Sequence, residues 1–176
     1  LSLAPSTTTT AMLAMSDALA LVVSQAKGFT ATDFATFHPA GGLGRQLTPI
    51  REVMRHGDEL RIATRNETVR GTLQRLRSNG RRTGAILVTQ DDGTLCGVFT
   101  DSDLARLLEQ HRDDQLDGPV SEVMTSNPTT LTDNTCLGDA VTVLTERKIS
   151  ELPIVDSSGR PVGLIDITDV IGMAPK

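Results

Sequence analysis

Tryptophan and tyrosine are absent from this chain of 176 residues, and the aromatic class is reduced to four phenylalanines. Proteins that read nucleic acid by stacking bases on aromatic platforms are disfavoured on that count. A formal net charge of −5 also disfavours a phosphate-backbone binder, so nucleic acid is not an expected partner. Cysteine occurs twice, at Cys96 and Cys136, with no C-x-x-C and no histidine at ligand spacing. Two buried, reduced thiols are expected, and no metal site. No apolar run is read as approaching the roughly 20 residues that span a bilayer. The first residues lack a basic region followed by an apolar stretch, so no signal peptide is read. The expectation is a cytoplasmic chain without a membrane partner.

What is present is a repeat. Ile50-Arg51-Glu52-Val53-Met54 returns as Val120-Ser121-Glu122-Val123-Met124, each preceded by proline, at an offset of 70. Thr68 to Gly71 pairs with Thr135 to Gly138 at 67, and Gly93, Gly97 and Asp103 pair with Gly159, Gly163 and Asp169 at 66. An offset that only shrinks is what a duplication followed by short loop deletions leaves behind. The chain therefore divides into 1–48, a first copy at 49–109 and a second at 110–176. These carry net charges of 0, +1 and −6, so the two copies differ sharply in charge.

Each copy reads in the same order. A short helical turn ends at Met54 or Met124, and a brief extended segment follows (Leu60–Ile62, Thr129–Leu131). An amphipathic helix comes next. In copy one it carries Val69, Leu73 and Leu76 on one face and stops at Gly80; in copy two it starts near Asn134 and Thr135. Two strands then flank Asp91-Asp92-Gly93 in copy one and Ser157-Ser158-Gly159 in copy two, where glycine supplies a positive φ. A last helix begins near Ser102 and near Thr168. Units of about 60 residues cannot cover both faces of a small sheet alone, but a pair can. The E-V-M turn, Leu152-Pro153-Ile154-Val155-Asp156 and the Gly97–Asp103 run resemble the tandem CBS domain (cystathionine-β-synthase-type) module. The resemblance implies an α/β (α+β) fold of two β-α-β-β-α repeats related by a pseudo-twofold axis and packed through their sheets.

That family's ligand sites use T-x-x-D after the last strand, which Thr100-Asp101-Ser102-Asp103 matches. A carboxylate can accept hydrogen bonds from both hydroxyls of a ribose, and a hydroxyl beside a helix start favours phosphate. The same residue types are ordinary helix caps, so the tetrapeptide alone leaves both roles open. In copy two Asp166 replaces the threonine, giving Asp166-Ile167-Thr168-Asp169. There Asp169 could still hold a ribose, while Asp166 would repel phosphate, so this site is expected to take a nucleoside or stay empty. Arg75, Arg77, Arg81 and Arg82 cluster around a helix end, where cations are favourable and solvated.

Residues 1–48 belong to neither copy. Ala11–Ala26 is apolar on nearly every side, the pattern of a helix buried in something larger. A second short helix is expected from Thr30, capped with Asp33, bearing Phe34 and Phe37. Leu3-Ala4-Pro5-Ser6-Thr7-Thr8, Asp17-Ala18-Leu19-Ala20 and His38-Pro39-Ala40-Gly41-Gly42-Leu43-Gly44-Arg45 resemble the end of the sugar isomerase (SIS) domain in arabinose-5-phosphate isomerases. In that family a CBS pair follows directly.

The resemblance implies an aldose–ketose isomerase interconverting ribulose 5-phosphate and arabinose 5-phosphate for Kdo and lipopolysaccharide synthesis. It makes His38 a catalytic residue that works only with the rest of that domain, expected upstream of Leu1. An imidazole suits proton shuttling between carbons, because it titrates near neutrality. The chain is then expected to be the regulatory part, inactive alone and homo-oligomeric. It would need no cofactor and would bind a nucleotide or CMP-linked sugar through Thr100, Asp103 and Asp169. The alternatives are an adenine-nucleotide-sensing CBS pair serving another partner and a purely structural oligomerisation module.

Overall fold

The computed structural model describes residues 6–30, 33–34, 37, 42–77 and 84–171. The chain divides into two compact units, Leu1–Leu47 and Thr48–Lys176.

In the first unit, helix α1 spans Ser6–Ala26 and buries none of its residues. Met12, Leu13, Met15, Leu19, Leu21 and Val22 are all more than 60% exposed. The reading that no apolar run nears membrane-spanning length needs correction. Ser6–Thr10 join Ala11–Ala26 in one helix of 21 residues that is long and apolar enough to cross a bilayer by length and composition. A side chain that reads as polar in a sequence does not end a helix: Thr10 and Ser16 donate their hydroxyls to the carbonyls of Ser6 and Met12, one turn back. Gly28, at φ +64, stops the run. The expected Thr30–Asp33 cap is present, Asp33 accepting from both the Thr30 amide (2.8 Å) and its hydroxyl (2.7 Å). The Phe29 and Phe37 rings stack at 6.2 Å. A short helix α2 covers Gly42–Gln46. His38, Gly80, Arg81 and Arg82 lie outside the described residues.

In the second unit, copy one runs β1 (Ile62–Thr64), α3 (Val69–Arg75), β2 (Ala85–Thr89), β3 (Leu95–Thr100) and α4 (Asp101–Glu109). After β4 (Thr125–Ser126), copy two repeats the order as β5 (Leu131–Thr132), α5 (Leu137–Arg147), β6 (Glu151–Val155), β7 (Pro161–Asp166) and α6 (Ile167–Ile171). In both copies the first strand pairs parallel to the second, and the second antiparallel to the third. The hairpins close on Gly93 (φ +86) and Gly159 (φ +81). Helix α5 starts later than expected: Cys136 holds the cap position and Thr135 instead donates its amide to the Thr132 carbonyl. Cys96 and Cys136 are half-buried rather than buried. Burial pushes the Cys96 thiol upward in pKa, and its Sγ–H lies 3.4 Å from the Val88 carbonyl.

The two E-V-M turns sit crosswise. Sequence similarity places each turn with the copy it precedes, yet each completes the core of the other. Val120, Val123 and Met124 pack with Ala63, Val69, Ile86, Val88 and Phe99 of copy one. Ile50, Val53 and Met54 pack with Ala140, Leu144, Leu152, Ile154 and Ile165 of copy two. Backbone bonds fix the exchange: the Val120 amide donates to Glu67 (2.8 Å), and the Ile50 amide to Thr135 (2.9 Å). Following each turn, β4 joins copy one's sheet beside β3, and Arg55 makes an equivalent single bridge to Leu164 of β7. The opposite faces of the sheets meet through Ala85, Leu87, Val98 and Leu164, so the copies do pack through their sheets.

Candidate functional site

The first candidate site stands where β3 hands over to α4. Thr100 is extended (φ −110), and its hydroxyl accepts the Asp103 amide at 3.1 Å. The Asp103 Oδ2 answers by accepting the Thr100 amide (2.9 Å) and hydroxyl (2.8 Å), a closed capping box. Asp103 is only 6% exposed, and its other oxygen accepts from Arg106 Nη1 at 2.9 Å. That arginine lies one turn along the same helix and its side chain is 61% exposed. Asp103, Arg106, Gln110 and Arg112 line a depression of about 130 Å³ together with Glu122 and Met124 from the crossed turn. Copy two thus supplies part of copy one's site.

The second candidate is built differently. Asp166 caps α6 by accepting the Thr168 amide (2.8 Å) and hydroxyl (2.6 Å). Asp169 receives a two-pronged pair from Arg55, Nε to Oδ2 and Nη2 to Oδ1, both at 2.9 Å. Arg55 Nη2 also lies 3.7 Å from Asp166. The Arg55 side chain is 11% exposed and that of Asp169 19%. The hydrogen bonds to Asp169 hold the guanidinium more basic than usual, against the cost of its burial. A bidentate, largely buried pair of this kind is among the stronger charge-assisted contacts.

Between the copies, Glu151 crosses Gly84 so closely that a β-carbon there would lie 2.7 Å from its Oε1. Burial raises the Glu151 carboxyl above its ordinary value, helped by the charges of Asp166, Asp101 and Asp103.

Thr100 and Asp103 are therefore brought together as the motif predicts, and Asp169 lies at the matching place in copy two. Sequence reasoning missed Arg55, Arg106 and Glu122. Arg106 stands three residues after Asp103, a helical spacing that was there to be read. Arg55 directly follows its E-V-M turn, but its partner lies 114 residues away and only the crossed packing brings them together. Of the basic cluster, Arg75 is committed locally, to Glu67 (2.7 Å) and the Ile62 carbonyl (3.0 Å).

The CBS domain family model matches residues 50–110 and 120–175. Among curated relatives, arabinose 5-phosphate isomerase KdsD of Pseudomonas aeruginosa is 36% identical over 172 residues, which is 97% of this chain and 52% of that protein. Arabinose 5-phosphate isomerase GutQ of Escherichia coli (strain K12) is 39% identical over 168 residues, 95% of this chain and 51% of that protein. The chain spans about half the length of these relatives. Among solved structures, CBSX2 in complex with AMP is 27% identical with a TM-score of 0.60, covering 71% of this chain and 94% of that one. The cytosolic domain of the Mg2+ channel MgtE, at 22% identity and a TM-score of 0.57 over 68% of this chain and 46% of that one, shares the fold.

Proposed function

This chain belongs to the CBS domain family, and from that premise we propose that it is a regulatory nucleotide-binding pair serving a sugar-phosphate isomerase of the arabinose-5-phosphate type. The observation that carries the binding role is Asp103: a carboxylate almost withdrawn from water, oriented by Thr100, at the edge of a depression that also holds Arg106 and Arg112. A carboxylate so placed accepts both hydroxyls of a ribose, and the two guanidinium groups suit its phosphate. Arg106 can withdraw into water, its side chain being 61% exposed, while the ribose hydroxyls take its place on the buried Asp103. Copy two offers the reverse. A phosphate about 4 Å from Asp166 would be opposed by roughly 1 kcal/mol even in bulk water, and more at a half-buried site.

AMP is the ligand in the CBSX2 complex, which makes it the first probe. The likeness to arabinose 5-phosphate isomerases adds cytidine nucleotides and a CMP-linked sugar. The isomerase chemistry, with His38 as one of its residues, belongs to the same proposal. Titration calorimetry of the purified chain with AMP, ATP, CMP and a CMP-linked sugar tests the reading. Saturable heat lost in Asp103→Ala supports it; no heat from any of the four would overturn it.

A further inference from the structure

We propose that Arg55 is an intramolecular occupant of copy two's site, so that the pair takes one ligand per chain rather than two. The inference rests on the nucleotide-binding reading above and extends it to stoichiometry. In copy one the T-x-x-D carboxylate is held by an arginine from its own helix, and that side chain is 61% exposed and displaceable. In copy two both oxygens of Asp169 are taken by an arginine delivered from the other copy. The delivery is rigid. The Arg55 amide donates to the Leu164 carbonyl at 2.9 Å, and the Leu164 amide returns a bond to the Arg55 carbonyl at 3.0 Å. Met54, the preceding residue, is packed into copy two's core.

The counterpart of Arg55 in copy one's site is Thr125, which directly follows Met124, is exposed and brings no cation. A ribose can reach Asp169 only when the guanidinium leaves, and a side chain only 11% exposed then gives up its two-pronged partner. If the closed state holds nine-tenths of the time or more, ligand affinity at copy two falls at least about tenfold. With the arginine removed, Asp166 and Asp169 would stand uncompensated. The opened site should then prefer an uncharged nucleoside to a nucleotide.

Equilibrium dialysis with labelled AMP and adenosine on the whole chain tests this. The native chain is expected to bind one AMP, lost in Asp103→Ala. Arg55→Gln, which keeps much of the side chain's stem, is expected to add a second equivalent of adenosine, at least about tenfold tighter at copy two than in the native chain. That equivalent should survive Asp103→Ala and vanish in Asp169→Ala. Arg55→Lys, retaining charge without the two-pronged grip, should open the site partially, and it serves if the glutamine variant does not fold. Two equivalents of AMP on the native chain overturn the inference while leaving nucleotide binding intact. So does a folded Arg55→Gln chain whose adenosine binding is unchanged by Asp169→Ala. Should the native chain bind neither ligand, the proposed function fails, and adenosine binding by Arg55→Gln/Asp103→Ala still decides the role of Arg55: one equivalent supports it and none overturns it.

Discussion

The Met124 sulfur occupies the place where a β-carbon on Gly97 would have to sit, and Met54 stands in the same relation to Gly163. One glycine on the third strand of each copy therefore acts as a socket for the methionine of the other copy's turn.

Gly97→Ala and Gly163→Ala should each destabilise the chain by about 1–3 kcal/mol through overpacking. Urea unfolding measures the loss. Pairing Gly97→Ala with Met124→Ala should give less than the sum of the two single losses, because the intruding methyl then has room. Strict additivity would show that the socket is unimportant.

Gly159→Ala isolates a different cost. A β-carbon there meets nothing within 4 Å, so only the backbone at φ +81 objects. A loss of roughly 1–2 kcal/mol is expected, and Gly159→Asn should lose less, because asparagine tolerates the left-handed region.

Two carboxylates should respond to pH in opposite directions. Glu151 has its folded value raised by burial and then by Asp166, Asp101 and Asp103. The folded chain consequently binds more protons than the unfolded one across that window, and stability falls as pH rises through it. Glu151→Gln should stabilise the chain at pH 7, and the gain should disappear below about pH 4.3, the ordinary glutamate value. For Glu67, burial pushes the carboxyl up, but the Thr64 amide and Arg75 outweigh it, and the folded value is lowered. Its contribution is present above the ordinary glutamate range and is lost as pH falls through the lowered value. Glu67→Gln should cost stability at pH 7, with the difference closing on acidification. Thermal melts from pH 3 to 8 read both slopes.

The exposed helix α1 should make the chain self-associate. Its apolar residues face outward on all sides, and such a surface seeks cover. Light scattering at micromolar concentration is expected to give a mass above 18.8 kDa, and removal of residues 1–47 should lower the degree of association. A monomer that includes α1 would count against it.

Most of the architecture was legible because it is written twice. The offsets of Gly93, Gly97 and Asp103 against Gly159, Gly163 and Asp169 locate both hairpins and both candidate sites, and the described hairpins turn at those glycines. Edges were less legible. Whether α5 begins at Asn134 or at Leu137 depends on which amide bonds form, and Thr135 spends its amide and carbonyl on Thr132 and Ile50 instead. Similarity between two segments carries no record of which core each one enters, so the crossing of the turns could not be read. Arg55 followed from that crossing and was lost with it. Asp169 stands at the position that matches Asp103, but its principal contact was out of reach of any spacing rule.

Because each turn is exchanged, one copy alone cannot complete its own core. A lone copy would be self-sufficient only as two identical chains trading turns, which is a domain-swapped dimer. Joining such chains end to end makes the trade internal, at an effective concentration of about millimolar that dilution cannot lower. Linkage has a second effect. In a symmetric dimer any substitution appears twice, whereas here Thr100 and Asp166 occupy matching places with different chemistry. The covalent connection is what lets one half specialise while the other serves as its permanent partner.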